Sequence, residues 1–533
     1  MKKLIGLVLF FAFIGGAMLF AAGAREDTQM ARIATPIGQY PIDAAGTPIR
    51  YWLPLGGSVN PNYVNVADTP LGQALIRMTG VDIRFEHPPS AATNEAFNLL
   101  IAARDDMPDL IEWNWLTLPG GPQRYIDDGV ILNLNGPIQR YAPYLRDLLA
   151  SNPEYDRMVK TDEGNYYNFP FIRGDELLFF SGGMMIRKDW LDELGLQTPT
   201  TIPEWNTVLT AFRNRGVQAP LTMNWANRSR VMFTTFDFQS GMYFNRRNNR
   251  MDYGEIQPGF REWVELFTRW YAEGLLDRDL ISVTAAQINQ KMISGSAGST
   301  QGAIGGGMGV WTTAGRLENP RYEIVAARNP VRNRGDELLY AGGVAFSGQS
   351  SVAISPYSNN VELATRVMDF GYTPDGHLLY NFGVEGESWT WVDNTPTYTE
   401  FVMTGSGRNW PLAQSLAAYV RSISAGPFVQ DVQYILQYYD MPEQSQALWN
   451  FYVPGASAFQ RPPLTPTSAE STEMANIMQA VNTFVEERTV RWILGNEPLN
   501  DATWSEFVAT INRMGIQRAI DIENAALQRY RNR

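Results

Sequence analysis

Residues 81–115 read VDIRFEHPPSAATNEAFNLLIAARDDMPDLIEWNW. The first nine read as a strand that Pro88 and Pro89 close, since proline cannot donate to a ladder. NEAFNLLIAAR then has helical spacing, with Phe97, Leu100 and Ile101 on one side. The turn DDMPD leads into a further strand, LIEWNW. Strand, helix, strand in that order predicts α/β organisation, a parallel sheet covered by helices on both faces. Ligands in such sheets sit beyond the carboxyl ends of the strands. Glu112, Trp113, Asn114 and Trp115 occupy such an end.

The same alternation extends both ways. Upstream, PIRYWLPL (48–55) reads as a strand, and Leu71 to Met78 as a helix stopped by Gly80. Downstream, ELLFFSGGMMIRKDWL (176–191) reads as a buried strand running into a helix. A second α/β section follows, with helices at IPEWNTVLTAFRNR and PGFREWVELFTRWYAEGLL, the latter carrying a stripe of Phe260, Val264, Phe267 and Tyr271. SSVAISPYSNN leads into the helix VELATRVMDFGY, and the C-terminal third is mostly helical, with Phe507, Ile511 and Met514 at helical spacing.

The 533 residues suffice for two or more cores, because single cores rarely grow past ~250–300 residues. The N-terminus has Lys2 and Lys3, an apolar run from Leu4 to Ala22, and small residues at Ala22-Gly23-Ala24. That pattern is a signal peptide over 1–24, cleaved on export or kept as an anchor. The chain has no cysteine, which excludes a disulfide scaffold, a thiolate metal site and the lipid attachment of a lipoprotein. A net charge of −12 argues against nucleic acid, whose binding depends on neutralising phosphates. The cations are 38 arginines against five lysines; spread along the chain instead of patterned, they read first as a compositional bias of the source and only weakly as a hint of acidic ligands.

Catalysis finds few candidates. His87 and His377 are the two histidines; one precedes two prolines, the other sits in a turn, TPDGH, and neither has a nucleophilic serine motif to serve. GAIGGGMG lacks the GK[ST] of a phosphate loop and reads as a tight strand-turn. YNFGVEGESWTW (380–391) sets Glu385 and Glu387 beside Trp389. Glycoside hydrolysis needs two carboxyls flanking the bond, ~5–5.5 or ~6.5–9.5 Å apart. Gly383 and Gly386 argue against the regular strand that would align them, so the stretch reads as a ligand-lining loop. Glu385 would accept sugar hydroxyls and Trp389 would stack on a pyranose. Trp113 or Trp115 with Asn114 would face them, and Trp225 in TMNWANRS, after a strand of the second α/β section, would supply an opposing platform.

Several segments resemble one family in order: TGVDIRFE with ARDDMPDLI, DDGVILNLNGPIQRYAP, MIRKDWLDELGLQTPTTIPEW, GYTPDGHLLYNFGVEGESW and RWILGNEPLNDATWSEFVATINRMGI. These resemble extracellular solute-binding protein family 1, the sugar receptors of ABC importers, in the subgroup with LipO-type and alginate-binding receptors. The resemblance implies a two-lobed periplasmic-binding-protein fold (type II), with parallel-sheet lobes joined by crossing hinge strands and a helical C-terminal region. The expected lobes are 48–178 plus 352–450, and 179–351 plus 451–533. Crossings are expected near Phe179 to Met185, near Val352 to Ser355, and within 440–465. The family places ligand contacts after the glycine-rich section, which adds Trp311. Many members carry a calcium loop after the "PTT" helix; here AFRNRGVQAPLTMN has no acidic ligand set, so no metal and no cofactor is expected. The implied function is a monomeric periplasmic or extracellular receptor, not an enzyme, delivering a carbohydrate to ABC permease subunits. The alternatives are a secreted glycosidase or polysaccharide lyase using Glu385 or Glu387, and a sensor of the same fold.

Overall fold

Strands Ile49–Trp52, Ile83–Glu86 and Leu110–Trp113 lie parallel, with Ile49–Trp52 in the middle, in a computed structural model. It describes residues 33–533 apart from residues 60, 105, 339–341, 347, 349–350, 409 and 422–424; the expected signal segment lies outside the described residues. Strand Ser351–Ile354 completes the first sheet antiparallel to Leu110–Trp113, pairing Ser351 with Trp113. The expected parallel strands are present in each lobe, and each sheet adds an antiparallel strand to them. Helix Pro70–Thr79 connects the first two strands, with Thr69 capping the Gly72 N–H, Pro70 at the first position and Gly80 stopping it at φ 75°. Helix Thr93–Ala103 connects the next pair and buries Phe97.

The second sheet runs Ile324–Ala327, Gly182–Arg187, Ala297–Ala303, Ala219–Leu221. Gly182–Arg187 is antiparallel to both neighbours, and Ala219–Leu221 lies parallel to Ala297–Ala303. Helices Ile202–Asn214 and Pro258–Ala272 cover it, burying Trp205, Phe212, Phe260, Trp263, Phe267 and Trp270. Arg187 and Asp189 of IRKDW form a buried ion pair at 2.6 Å, the guanidinium lying 4.1 Å from the rings of Trp190 and Tyr322.

One core fills the first lobe and a second lies under the helices of the second. A third joins Met185, Trp311 and Ile324 to Phe382, Trp389, Tyr419, Leu448 and Phe451. The segment 352–450 thus divides. Leu363 to Tyr380 pack in the first lobe, whereas helix Pro442–Phe451 lies on the second sheet, and Phe451 fills the space beside Gly183.

Two local expectations change. His377 lies within helix Pro374–Phe382, opened by Thr373 and Pro374, instead of in a turn. The glycine-rich stretch is helical: a π-turn, Ile304–Gly309, continues into helix Val310–Glu318. Its glycines clear room for rings, since a Cβ at Gly302 would meet Trp311 at 2.4 Å and one at Gly305 would meet Tyr438 at 2.6 Å.

The terminal helices are Ser468–Ile493, Asp501–Arg513 and Ile516–Arg531. The last spans two cores: Ile516, Ala519 and Ile520 belong to the second, and Ala526, Leu527 and Tyr530 to the first. Its far end is pinned where Arg529 meets Asp162 at 2.5 Å and Arg533 bonds the same carboxylate.

Candidate functional site

The register shows which sheet ends face one another. The chain enters the second sheet at Gly182, opposite Ala303, the end of the neighbouring strand. It re-enters the first sheet at Ser351, opposite Trp113, where the parallel strands finish. The crossing segments therefore join the carboxyl ends of both parallel sets, and the crevice between those ends is the candidate site. Its walls begin at Leu53, His87 and Trp113–Asn114 on one side, and at Thr222–Trp225 and Ala303–Gly306 on the other.

On the first wall, buried Glu112 receives the Arg421 guanidinium at 2.5 and 2.6 Å on its two oxygens, and the Tyr51 hydroxyl at 2.6 Å. Side-chain exposures of 3% and 15% make this an internal ion pair. The Arg421 guanidinium is held above its ordinary pKa: burial, the largest single influence, acts downward, and the charge of and hydrogen bond to Glu112 together with Tyr51 and Tyr380 outweigh it. His87 is locked neutral, one ring nitrogen 2.9 Å from the Leu53 carbonyl and the other accepting the Val66 N–H at 3.1 Å. Burial, first of all, pushes its pKa down. Trp113 is half-buried and stacks on Phe97, ring centroids 4.1 Å apart and planes 8° apart. The Asn114 Oδ1 is buried without a hydrogen-bond partner, an acceptor left for a ligand donor.

On the second wall, Ala303 and Gly306 are exposed, and nothing lies within 4 Å of a Cβ built on Gly306. This small-residue floor leaves room for a ligand. Tyr438 stands beside Gly305, stacked on Tyr434 at 5.9 Å. Tyr452 packs edge-on against Phe180 at the crossing, and Trp449 lies against Tyr452 at 6.1 Å. Trp449 is 54% exposed, and with Trp391 it is one of two exposed indoles among the described residues. Arg328 donates to the carbonyls of Asn450 at 2.8 Å and Tyr452 at 3.4 Å.

The residues expected from sequence are not brought together. Trp113 and Asn114 reach the crevice edge, but Trp115 is wholly buried. Trp225 is buried, its N–H bonded to Glu486 and its ring under Arg228 at 4.7 Å. Trp311 is core, its N–H donating to Asn289 at 2.7 Å. Trp389 is also core, donating to the Gly383 carbonyl at 3.0 Å. Glu385 is exposed and lines a separate pocket of about 250 Å³ with Arg77 and Asp375, between helices Pro70–Thr79 and Pro374–Phe382. Glu387 is exposed and accepts the Tyr419 hydroxyl at 2.7 Å. The two glutamates serve different neighbours. Arg421, Tyr438 and Trp449 were missed: each comes from the chain after residue 420, whose return to the crevice no local pattern announces. Trp449, near the end of helix Pro442–Phe451, was the one signal available.

Among the described residues no group of three or more His, Asp or Glu side chains could hold a metal ion. A lysine lies between two carboxylates instead: Lys291 contacts Asp277 at 2.7 Å and Asp279 at 3.1 Å. Among the described residues no helix is long and apolar enough to cross a membrane.

Two lobes with facing strand ends, joined by crossing segments, define a solute-binding protein. The chain belongs to the bacterial extracellular solute-binding protein family, whose sequence model matches residues 77–377. The fructooligosaccharide ABC transporter substrate-binding protein FusA of Streptococcus pneumoniae is 22% identical over 493 residues, covering 86% of each chain. The fold is shared with the alginate-binding protein AlgQ2, solved without calcium (22% identity, TM-score 0.70, covering 90% of this chain and 97% of that one). It is shared equally with FusA of S. pneumoniae in complex with kestose (18% identity, TM-score 0.70, 91% and 100% covered).

Proposed function

We propose that this protein captures an oligosaccharide in the crevice between its lobes, closes over it, and delivers it to the permease of an ABC importer. What supports the reading is that each wall carries features a sugar uses: the half-buried Trp113 ring and an unpartnered amide oxygen at Asn114 at the end of the first sheet, and the exposed small residues Ala303 and Gly306 at the end of the second. Sugars need apolar faces to stack on and a few fixed polar groups to read hydroxyls. Trp113 and Trp449 are the proposed platforms, with Asn114 and Tyr438 as hydroxyl readers. Trp225, Trp311 and Trp389 would act behind them as packing. The names of the relatives, a fructooligosaccharide receptor and an alginate-binding protein, support a carbohydrate ligand. The lobes are proposed as 48–178 with 352 onward, and 179–351 with the C-terminal region up to the last helix, which the two share. The third crossing then precedes Pro442. Export through residues 1–24 and action as a monomer outside the cytoplasm complete the proposal.

The test is thermal unfolding of residues 25–533 against a panel of oligosaccharides. A ligand at 100 times its Kd adds about 2.7 kcal/mol. Saturable stabilisation with the sugar recovered intact is expected. Trp449→Ala, on an exposed side chain, should weaken binding about tenfold, roughly 1.4 kcal/mol, without lowering the unliganded Tm. Cleavage of the sugar would establish the enzyme reading, and stabilisation by no sugar would remove carbohydrate from the proposal.

A further inference from the structure

Resting on the importer reading, we infer that the hairpin formed by Trp389–Val392 and Thr395–Tyr398 is a surface by which the importer's permease grips this protein. Trp449 is a proposed platform of the crevice; Trp391, the other exposed indole among the described residues, has no part in it. Trp391 is 50% exposed, Val392 49% and Phe401 42%. Trp391 stands across the ladder from Pro396 and Val392 from Thr395, and alternation turns Val392 to the opposite face. The tip is apolar on both faces, a knob left in water. The fold holds it rigid. Asp393 and Asn394, at φ 47° and 61°, make the two-residue turn that matches the strand twist. Tyr398 is buried and donates to the Asn381 carbonyl at 2.6 Å. The Gln437 amide donates to the Pro396 carbonyl at 2.9 Å and accepts the Tyr398 N–H at 2.8 Å. Trp391 leans edge-on against buried Trp389, ring centroids 5.2 Å apart. An indole fixed in advance loses little entropy on docking, which suits it as an interface anchor.

Charge decides the occupant. Glu385, Asp393 and Glu400 stand exposed around the knob, and none is in an ion pair among the described residues. Glu387 accepts the Tyr419 hydroxyl, and Asp375 shares the pocket that Glu385 lines. Against these five carboxylates stand Arg77, in the same pocket, and Arg408, which follows Gly407 beside the Phe401 ring. A second copy would bring the same carboxylates face to face and be repelled, and anionic lipid would be repelled too. What fits is a protein with an apolar socket rimmed by lysine or arginine, and the protein partner that the function calls for is the permease. The knob is also rooted where closure is felt. Gln437 precedes Tyr438, which stands beside Gly305 on the second wall; Tyr419, packed beside Gly383, leads to Arg421 and Glu112 on the first.

The experiment measures uptake of radiolabelled fructo-, malto-, xylo- and galacto-oligosaccharides by cells that make this protein. Cells lacking the gene are compared with the same cells carrying wild type, Trp391→Ala, or the double variant Asp393→Asn, Glu400→Lys. The purified variants should bind the transported sugar with the wild-type Kd and keep the wild-type Tm, because the changed side chains are exposed and outside the crevice. Uptake should nevertheless fall about tenfold or more in each, the loss expected for an interface anchor and its charged rim. Trp391→Phe, which keeps an aromatic knob, should retain most of it. Full uptake with Trp391→Ala and with the double variant would overturn the inference and leave the importer reading standing. A weakened Kd in Trp391→Ala would make the hairpin part of the sugar site. A wild-type dimer that Trp391→Ala dissociates in sedimentation would make a second copy the occupant. Either result would overturn the inference. Uptake of no sugar in the panel, or uptake unchanged by loss of the gene, would overturn the importer reading and this inference together.

Discussion

Asp369→Asn gives the pH dependence of stability a defined origin. Asp369 is wholly buried in the first lobe, and its carboxylate accepts the N–H groups of Leu145 at 2.8 Å and Tyr144 at 3.3 Å, at the start of helix Pro143–Ser151. Burial pushes its pKa from 3.8 up to about 7, against the pull of those two N–H bonds and of Arg146. In the unfolded chain the group titrates near its ordinary ~3.9. Between these values the folded protein keeps a proton that the unfolded chain has released. The stability contributed by this group is therefore fully present below about pH 4, falls as pH rises, and is lost once pH passes about 7. At about 1.36 kcal/mol per pH unit, that interval makes the swing ~4 kcal/mol. Asparagine retains an acceptor for Leu145 and cannot ionise. The variant should show a flatter curve, and should gain on wild type as pH rises from about 5 to about 8. Urea midpoints followed by tryptophan fluorescence across that range make the comparison. Parallel curves for the two proteins, or wild type gaining on the variant with rising pH, would refute the reasoning.

Lys291→Met leaves Asp277, nearly wholly buried, without its ammonium partner. It should lower stability by about 3 kcal/mol, with much of that recovered in the Lys291→Met, Asp277→Asn double variant, measured by thermal denaturation. Gly302→Val places a Cβ 2.4 Å from the Trp311 ring. It should cost ~1–3 kcal/mol by overpacking and blue- or red-shift the tryptophan emission, whereas an unchanged spectrum and midpoint would contradict the packing.

The first sheet was legible because each of its parallel strands is bounded locally. Pro88 and Pro89 close one, Gly80 ends the helix before it, and helix Thr93–Ala103 falls within a residue of its expected span. The glycine-rich stretch was not legible. Glycines ordinarily break helices, and here they are required by the rings of Trp311 and Tyr438, a demand set by tertiary packing. The site suffered most. An indole near a strand end can point either way, and the sequence does not say which: Trp113 reaches the crevice edge while Trp115, two residues on, is core. Glu385 and Trp389 promised a sugar loop by composition, yet Trp389 went inward to the Gly383 carbonyl. The arginine excess is not by itself a ligand signal: Arg421 and Arg228 are paired within the chain with Glu112 and Glu486.

Helix Ile516–Arg531 begins in one core and finishes in the other. Neither lobe owns it, so neither lobe can be cut free as a folding unit. A chain stopped after Gly515 would leave Ile520 missing from one hydrophobic interior and Leu527 from the other at once. Loss of this single helix should therefore be felt as failure of both halves together, and any opening of the crevice must bend or swivel about a rod that the two halves hold in common.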